Sequence, residues 1–287
     1  MEVTRTRAHE PVWMGRSDCC ACPIRNRALF AQVPDAALRA NGYAIDLLRM
    51  RTGGILYEEG ASGEYVYALR SGFVKFVQQS GNGNSRIVRL LHAGEVAGLE
   101  LLTDSTYRHT AMVLRDIDVC RIPLRLLRTL RESNREVCDE ILRRLQRFVD
   151  TADYGITYLS TGTAQARLAR LLLRLAQGKQ TDERDWLMRE DIAALLGLTL
   201  ETVSRTVSEF KRQNLVVEHE RYFEIDRDRL ERIAPAPEAF RLGPEPVSRK
   251  SPRAAPRVCR SRAAVHAAAP PAARAVAPTP AHRPAAA

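Results

Sequence analysis

Thirty consecutive residues, Met188 to Val217, restrict the fold more tightly than any other stretch of the chain: MREDIAALLGLTLETVSRTVSEFKRQNLVV. They predict two short helices joined by a tight turn. The first runs from about Arg189 to Leu196, with Ile192, Leu195 and Leu196 as its apolar stripe. Gly197 stops it, because glycine takes the left-handed cap without strain. Thr199 is placed to cap a second helix, Leu200 to about Gln213. On that helix Leu200, Val203, Val207 and Phe210 fall at helical spacing and are expected to bury. Glu201, Ser204, Arg205, Ser208 and Arg212 share the other side.

An ordinary helical hairpin with a solvated face satisfies this pattern. So does a helix-turn-helix, which puts the N-terminal part of its second helix into the DNA major groove. The next segment favours the latter. Leu215, Val216 and Val217, the turn Glu218-His219-Glu220, then Tyr222, Phe223 and Ile225 predict a β-hairpin, and two helices with a hairpin make a winged helix-turn-helix. In that docking Arg205 can pair bidentately with a guanine and Glu201 can accept from a cytosine amino group. Ser204 lies between them, within reach of a base or a phosphate. Thr199, Lys211 and Arg212 are the better candidates for phosphate, and Ser208 lies on the same DNA-facing side.

The run DIAALLGLTLETVSR resembles the DNA-reading helix pair of the Crp/Fnr family of bacterial transcription regulators. Glu201-x-x-Ser204-Arg205 is similar to the recognition triplet of its FNR branch. The catabolite activator branch carries an arginine one residue before the glutamate and a glycine in place of Ser204; here those positions are Leu200 and Ser204. The resemblance covers roughly Cys19 to Ile233. It implies a homodimer on double-stranded DNA, a palindromic operator with TTGAT-like half-sites, and RNA polymerase as a partner.

Three of the six cysteines stand in four positions, Cys19, Cys20 and Cys22, and Cys19-x-x-Cys22 has the spacing of thiolate metal sites. FNR-type oxygen sensors are similar here: an N-terminal cysteine group and one distant cysteine hold a [4Fe-4S] cluster. Asp118-Val119-Cys120-Arg121-Ile122-Pro123 resembles the strand with the distant ligand. The family's third N-terminal cysteine falls five or seven residues after the second. At those places stand Ala28 and Phe30, and neither has a donor atom for iron. Cys20 is the candidate substitute. A cluster, a zinc site, a thiol redox switch and a cysteine patch without ligand all stay open. Cys138 lies in a helical stretch and Cys259 in the tail.

The predicted fold class is α+β, in five parts. Residues 1–35 form an aperiodic, mobile N-terminus with the cysteine cluster. Residues 36–123 form the sensory part: a short helical pattern from Ala36 to Met50, then glycine-punctuated runs ILY, YVYAL, FVKFV, RIVRLL and AMVL, with SGNGN as a hairpin turn. The block EEGASGEYVYALRSGFVKF resembles the family's cyclic-nucleotide-binding β-roll, a jelly roll. The glutamate and Arg-Ser pair that hold the cyclic phosphate in that fold are replaced in register by Leu99 and His109-Thr110, with Glu100 and Arg108 one position away, so a cyclic nucleotide is not expected. Residues 124–159 predict one long dimerisation helix, with a coiled-coil seam of Val137, Ile141, Leu145, Phe148, Ala152, Ile156 and Leu159. The alternative is a helix packed on its own domain. Residues 160–234 predict the DNA-binding domain, opened by a helix from Thr163 to Ala176. Residues 235–287 hold eleven of the fifteen prolines and predict a disordered Ala/Pro/Arg-rich tail.

Charge alone is weak evidence for DNA. The net charge is +10, but nine basic and two acidic residues lie beyond Ala234, leaving a nearly balanced body. No run approaches the ~20 apolar residues of a membrane span, and no apolar run follows Arg5 and Arg7 to make a signal peptide. A cytoplasmic protein with reduced cysteines is expected. A CxxC thiol oxidoreductase is the rival reading. It lacks the flanking strand-helix pattern, and no paired carboxylates or Ser-His-Asp grouping accompany it, so no enzyme is expected.

Overall fold

Short runs with alternating burial form the strands of a computed structural model, which describes residues 10–19, 22–34, 36, 45–79, 85–176, 187–219 and 223–234. All of these fall in one unit, Met1–Glu245; a second, Pro246–Ala287, lies outside the described residues, as does the expected tail. In chain order the strands are β1 Val12–Arg16, β2 Asp46–Met50, β3 Ile55–Tyr57, β4 Tyr65–Leu69, β5 Phe73–Gln79, β6 Ser85–His92, β7 Val96–Ala97, β8 Thr110–Arg115 and β9 Ile117–Pro123. They make two antiparallel sheets, ordered β1-β2-β9-β4-β7 and β3-β8-β5-β6. The inward faces bury Val66, Leu69, Val74, Phe76, Leu91 and Val119, at about 1.5–3 kcal/mol for each large side chain removed from water. Each of the five apolar runs named from the sequence lies in a strand. The SGNGN segment lies outside the described residues, between paired β5 and β6.

Two expectations for the N-terminal part fail. Val12–Arg16 is not aperiodic chain but an edge strand on β2. It is held by polar contacts rather than burial. Asp46 accepts from Trp13 Nε1 at 3.2 Å, from Arg16 at 2.5 Å and from Arg121 at 2.7 Å. Burial alone would raise that carboxyl, but these hydrogen bonds and the two guanidinium charges outweigh it and hold its pKa below the ordinary range. Asp46–Met50, expected to continue a helical pattern, is strand β2; residues 37–44 lie outside the described residues.

The expected single helix from Leu124 to Leu159 is broken. α1 spans Leu124–Ser133 and α2 spans Arg135–Tyr154. Between them Asn134 is extended, and both its backbone N–H and its side-chain amide donate to Leu130 O. A π-helical turn, Gly155–Leu159, follows α2. Then come α3 Ala164–Leu175, α4 Arg189–Leu196, α5 Leu200–Arg212, β10 Val216–Glu218, β11 Phe223–Ile225 and α6 Arg227–Ile233. A second core gathers Leu168, Leu172, Ile192, Leu196, Val207 and Phe210 with Leu230 of α6. Phe73 of β5 belongs to this core too, and Leu90 of β6 and Leu114 of β8 pack against it.

Candidate nucleic-acid interface and thiol cavity

The local geometry of α4 and α5 follows from their caps. Gly197 ends α4 at φ +64°. Thr199 Oγ1 accepts from Thr202 N at 3.2 Å and opens α5. Asn214, at φ +53°, turns the chain from α5 into the wing, where β10 and β11 pair antiparallel. Val203, Val207 and Phe210 are each about 1% exposed. Leu200, expected with them, is 45% exposed, because the first turn of α5 projects past the edge of the core.

The opposite face of α5 is polar and open. The side chains of Glu201 and Arg205 are each 79% exposed and pair with each other one turn apart. Ser204 is half-buried between them; Ser208, Lys211 and Arg212 are exposed. Glu201 and Arg205 are therefore presented together as a neutral pair.

The phosphate candidates differ more. Arg212 pairs with Glu209 on its own helix. The Thr199 hydroxyl is engaged in the cap, and the Ser208 hydroxyl donates to Ser204 O at 2.9 Å. Lys211 Nζ lies 2.8 Å from Glu218, which also takes Arg189 Nη2 at 3.1 Å. Glu218, expected in the turn, ends strand β10 and ties the wing to α4 and α5. Its role lies beyond sequence reasoning, since nothing local marks a partner seven residues back and another twenty-nine back.

Of the seven residues expected in a dimer seam, Val137, Ile141, Phe148 and Leu159 pack within the chain's own cores. Val137 and Ile141 are 1% and 4% exposed in the core of their own roll, and Phe148 packs against that core under Arg89, 4.0 Å from its ring centre. Arg144 is buried on the same side and donates to Gly94 O at 2.5 Å and Arg27 O at 2.7 Å. Leu159 is buried in the second core. The apolar residues that α2 and the π turn leave exposed are Leu142, Leu145, Val149 and Ile156, with Ala152 also exposed and Cys138 half-exposed. From 138 to 156 these recur at four, three, four, three and four, a heptad stripe that keeps Leu145, Ala152 and Ile156 of the expected seam and has Cys138, Leu142 and Val149 in place of Val137, Ile141 and Phe148.

Cys19, Cys22 and Cys120 meet on one cavity of about 30 Å³, room for a water or two, which Ser17, Arg25, Arg70, Ile45, Ala68 and Ile122 also line. Cys120 stands on the central strand β9, opposite Leu47 of β2 and Ala68 of β4. The hydroxyl of Ser17 lies 3.3 Å from its sulfur. Burial raises both Cys19 and Cys120; the neighbouring Cys120 adds to the rise at Cys19, while Ser17 and Arg70 oppose it at Cys120. Ala28 and Phe30 line this same cavity. Cys20 lies outside the described residues. Among the described residues, no three Cys, His, Asp or Glu side chains are arranged to hold a metal ion. Among the described residues three thiols and no fourth face this cavity, one short of the four thiolates of a cubane.

In the roll, the positions adjacent to the family's phosphate cradle are committed elsewhere. Leu99 is buried, and the Arg108 guanidinium turns to Asp104 at 3.0 Å on the surface. Tyr57 stacks on Tyr107 at 3.8 Å between ring centres, and His109 stacks on Phe76 at 5.5 Å. No described helix is long and apolar enough to cross a membrane.

Comparison with known proteins agrees with this architecture. Residues 47–134 match the Cyclic nucleotide-binding domain family, and residues 166–233 match the Crp-like helix-turn-helix domain family. The transcriptional regulatory protein Btr of Bordetella pertussis is 30% identical over 175 residues, 59% of this chain and 72% of that protein. The regulatory protein HlyX of Actinobacillus pleuropneumoniae is 27% identical over 179 residues, 60% of this chain and 75% of that one. FixK2 from Bradyrhizobium japonicum superposes with a TM-score of 0.62 at 25% identity, covering 68% of this chain and all of the other. A roll of this topology followed by a winged reading helix, in relatives named as regulators rather than enzymes, has one reading: the chain belongs to the Crp/Fnr family of DNA-binding transcription regulators.

Proposed function

We propose that the protein binds palindromic TTGAT-like operators as a parallel homodimer joined along α2, and that the oxidation state of Cys19, Cys22 and Cys120 sets its activity. The observation that carries the DNA half is the open face of α5, where Glu201, Ser204 and Arg205 stand in one row. A free polar face at the N-terminal end of a helix-turn-helix's second helix is what base readout needs. The heptad stripe of Leu142, Leu145, Val149, Ala152 and Ile156 supports the dimer, because exposed apolar side chains at that spacing bury against a copy of themselves. Domain limits at 36–123 for the sensor, 124–159 for the connecting helices and 160–234 for the reader follow from this division of labour. Such a regulator works in the cytoplasm and acts on RNA polymerase at promoters.

The redox half rests on three thiols, a Cys-x-x-Cys pair and Cys120 about a hundred residues on, that share one cavity. Oxygen sensing through a cluster would require a fourth donor, so thiol oxidation, or a metal held through fewer thiolates, fits the described residues better. Two experiments test the proposal. Binding to matched and scrambled palindromes at several salt concentrations should give a sequence preference of about a thousandfold or more; equal binding rejects the operator. Protein prepared without oxygen is then assayed for iron, sulfide, zinc and free thiols. The expected outcome is free thiols and no visible absorption band in the native chain, with iron uptake gained by Phe30→Cys. Full iron and sulfide content in the native chain overturns the thiol reading.

A further inference from the structure

We infer that Lys75, a residue of the roll, positions the DNA-reading helix pair by seating α4 through Asp191. Lys75 Nζ lies 2.6 Å from Asp191 Oδ1, 116 residues away in sequence. Both groups are largely shielded, with side chains 19% and 9% exposed. The alternation of β5 explains why Lys75 faces this way. Val74 and Phe76 point into the roll core, while Phe73 joins the core of the reading domain. Lys75 shares the face of Phe73, and Leu90, its cross-strand neighbour on β6, also packs against the reading-domain core. Beside this seat Arg86 of β6 lies against the helix-turn-helix turn so closely that any Cβ at Gly197 would collide with its guanidinium. The outer face of the four-stranded sheet is thus an apolar seat for the first helix, into which Lys75 brings a charge, and α4 answers with Asp191 in its first turn.

Apolar contacts are non-directional and hold a helix on a sheet without fixing its rotation. A shielded ion pair is directional and adds little net stability over an apolar pair, but losing one partner strands a buried charge. The Lys75–Asp191 pair therefore selects one rotation of α4. Since α5 is joined to α4 by the tight Gly197 turn, it also sets the angle at which Glu201 and Arg205 are offered. In a dimer the two α5 helices must reach half-sites about one helical turn apart, so this angle fixes the operator spacing that the protein accepts.

The inference rests on the dimeric operator reading, and the test separates the two. The full chain is compared with Lys75→Met, Lys75→Arg and the swap Lys75→Asp/Asp191→Lys. Binding is measured on palindromes with native spacing and with two base pairs added between half-sites. Hydrogen exchange of the α4 amides is followed in the free protein. Lys75→Met should lower the preference for native spacing by about tenfold or more and speed α4 exchange, with secondary structure retained. Lys75→Arg and the swap should restore both. A native chain indifferent to spacing overturns the operator reading alone, and hydrogen exchange still decides the seat. Unchanged α4 exchange and spacing preference in Lys75→Met overturn the inference. So does a folded swap variant that exchanges as fast as Lys75→Met.

Discussion

α5 and α2 are both strongly amphipathic helices, yet only one of them could be oriented from its sequence. α5 carries one apolar stripe, and Val203, Val207 and Phe210 lie in the core where the period puts them. α2 carries two. Val137, Ile141 and Phe148 turn to their own roll, and Leu142, Leu145, Val149 and Ile156 turn to solvent. Periodicity identifies an apolar face but not what covers it. When two faces qualify, the choice between own core and second copy depends on strands distant in sequence. Here Arg144, which reads as a solvated charge, is the side chain that locks α2 to the roll through Gly94 O and Arg27 O.

The sharpest break between the two stripes of α2 is Ile141→Glu. A carboxylate at a site 4% exposed has neither water nor a partner. The roll should lose about 4 kcal/mol or more of stability in urea unfolding. Leu145→Glu, four residues on but 40% exposed, should change the stability of the separate chain by only about 0.5 kcal/mol. It should instead yield a monomer by sedimentation, with affinity for a palindrome reduced about a hundredfold or more through lost avidity. If Ile141→Glu is a folded monomer, the seam includes the positions of Val137, Ile141 and Phe148 where the sequence spacing put it; a Leu145→Glu chain that stays dimeric rejects both placements, since Leu145 belongs to each.

Arg205→Ala asks whether the open face of α5 differs in kind from the open face of α2. Its loss should cost about 1–3 kcal/mol per half-site on the matched operator, little on scrambled DNA, and leave the dimer intact. Lys211→Ala should weaken all sequences alike, with a small change in salt slope, because Glu218 already engages its ammonium at 2.8 Å. An Arg205 variant that keeps its sequence preference would move readout to another residue.

What was legible follows the range of the forces involved. Glycine-bounded strands, the Gly197 cap and, Leu200 apart, the α5 stripe are local, and each lies where the residues put it. Strand β1 was missed because Val12, Trp13 and Met14 are exposed in succession and no alternation marks them; the tie is Asp46, thirty-three residues from Trp13. The break at Asn134 carries no proline or glycine. The thiol cavity was half legible. Cys19 and Cys22 announce themselves by spacing, and Cys120, Ala28 and Phe30 were placed only through family resemblance, while Ser17 and Arg70 on the cavity wall are visible only in the fold. Lys75 and Asp191 each look like ordinary surface charges until β5 and α4 are brought together.

The smallest expected effect concerns the outlier of α5. Leu200 shares the helical phase of Val203 and Val207, and a stripe argument assigns all three the same worth. Its side chain sits on the first residue of the helix and tilts back past the N-terminus, where there is no preceding turn to lie over, and 45% of its surface is in water against 1% for Val203. Truncation removes apolar area that is already half solvated and leaves no enclosed cavity, so Leu200→Ala should cost under about 1 kcal/mol in urea unfolding. Val203→Ala deletes less volume but leaves a void between α4 and α5, and should cost about 2 kcal/mol. A larger loss from the bigger, more exposed residue would mean that the first turn of α5 is covered in solution, and that its single stripe is as poor a guide to burial as the two on α2.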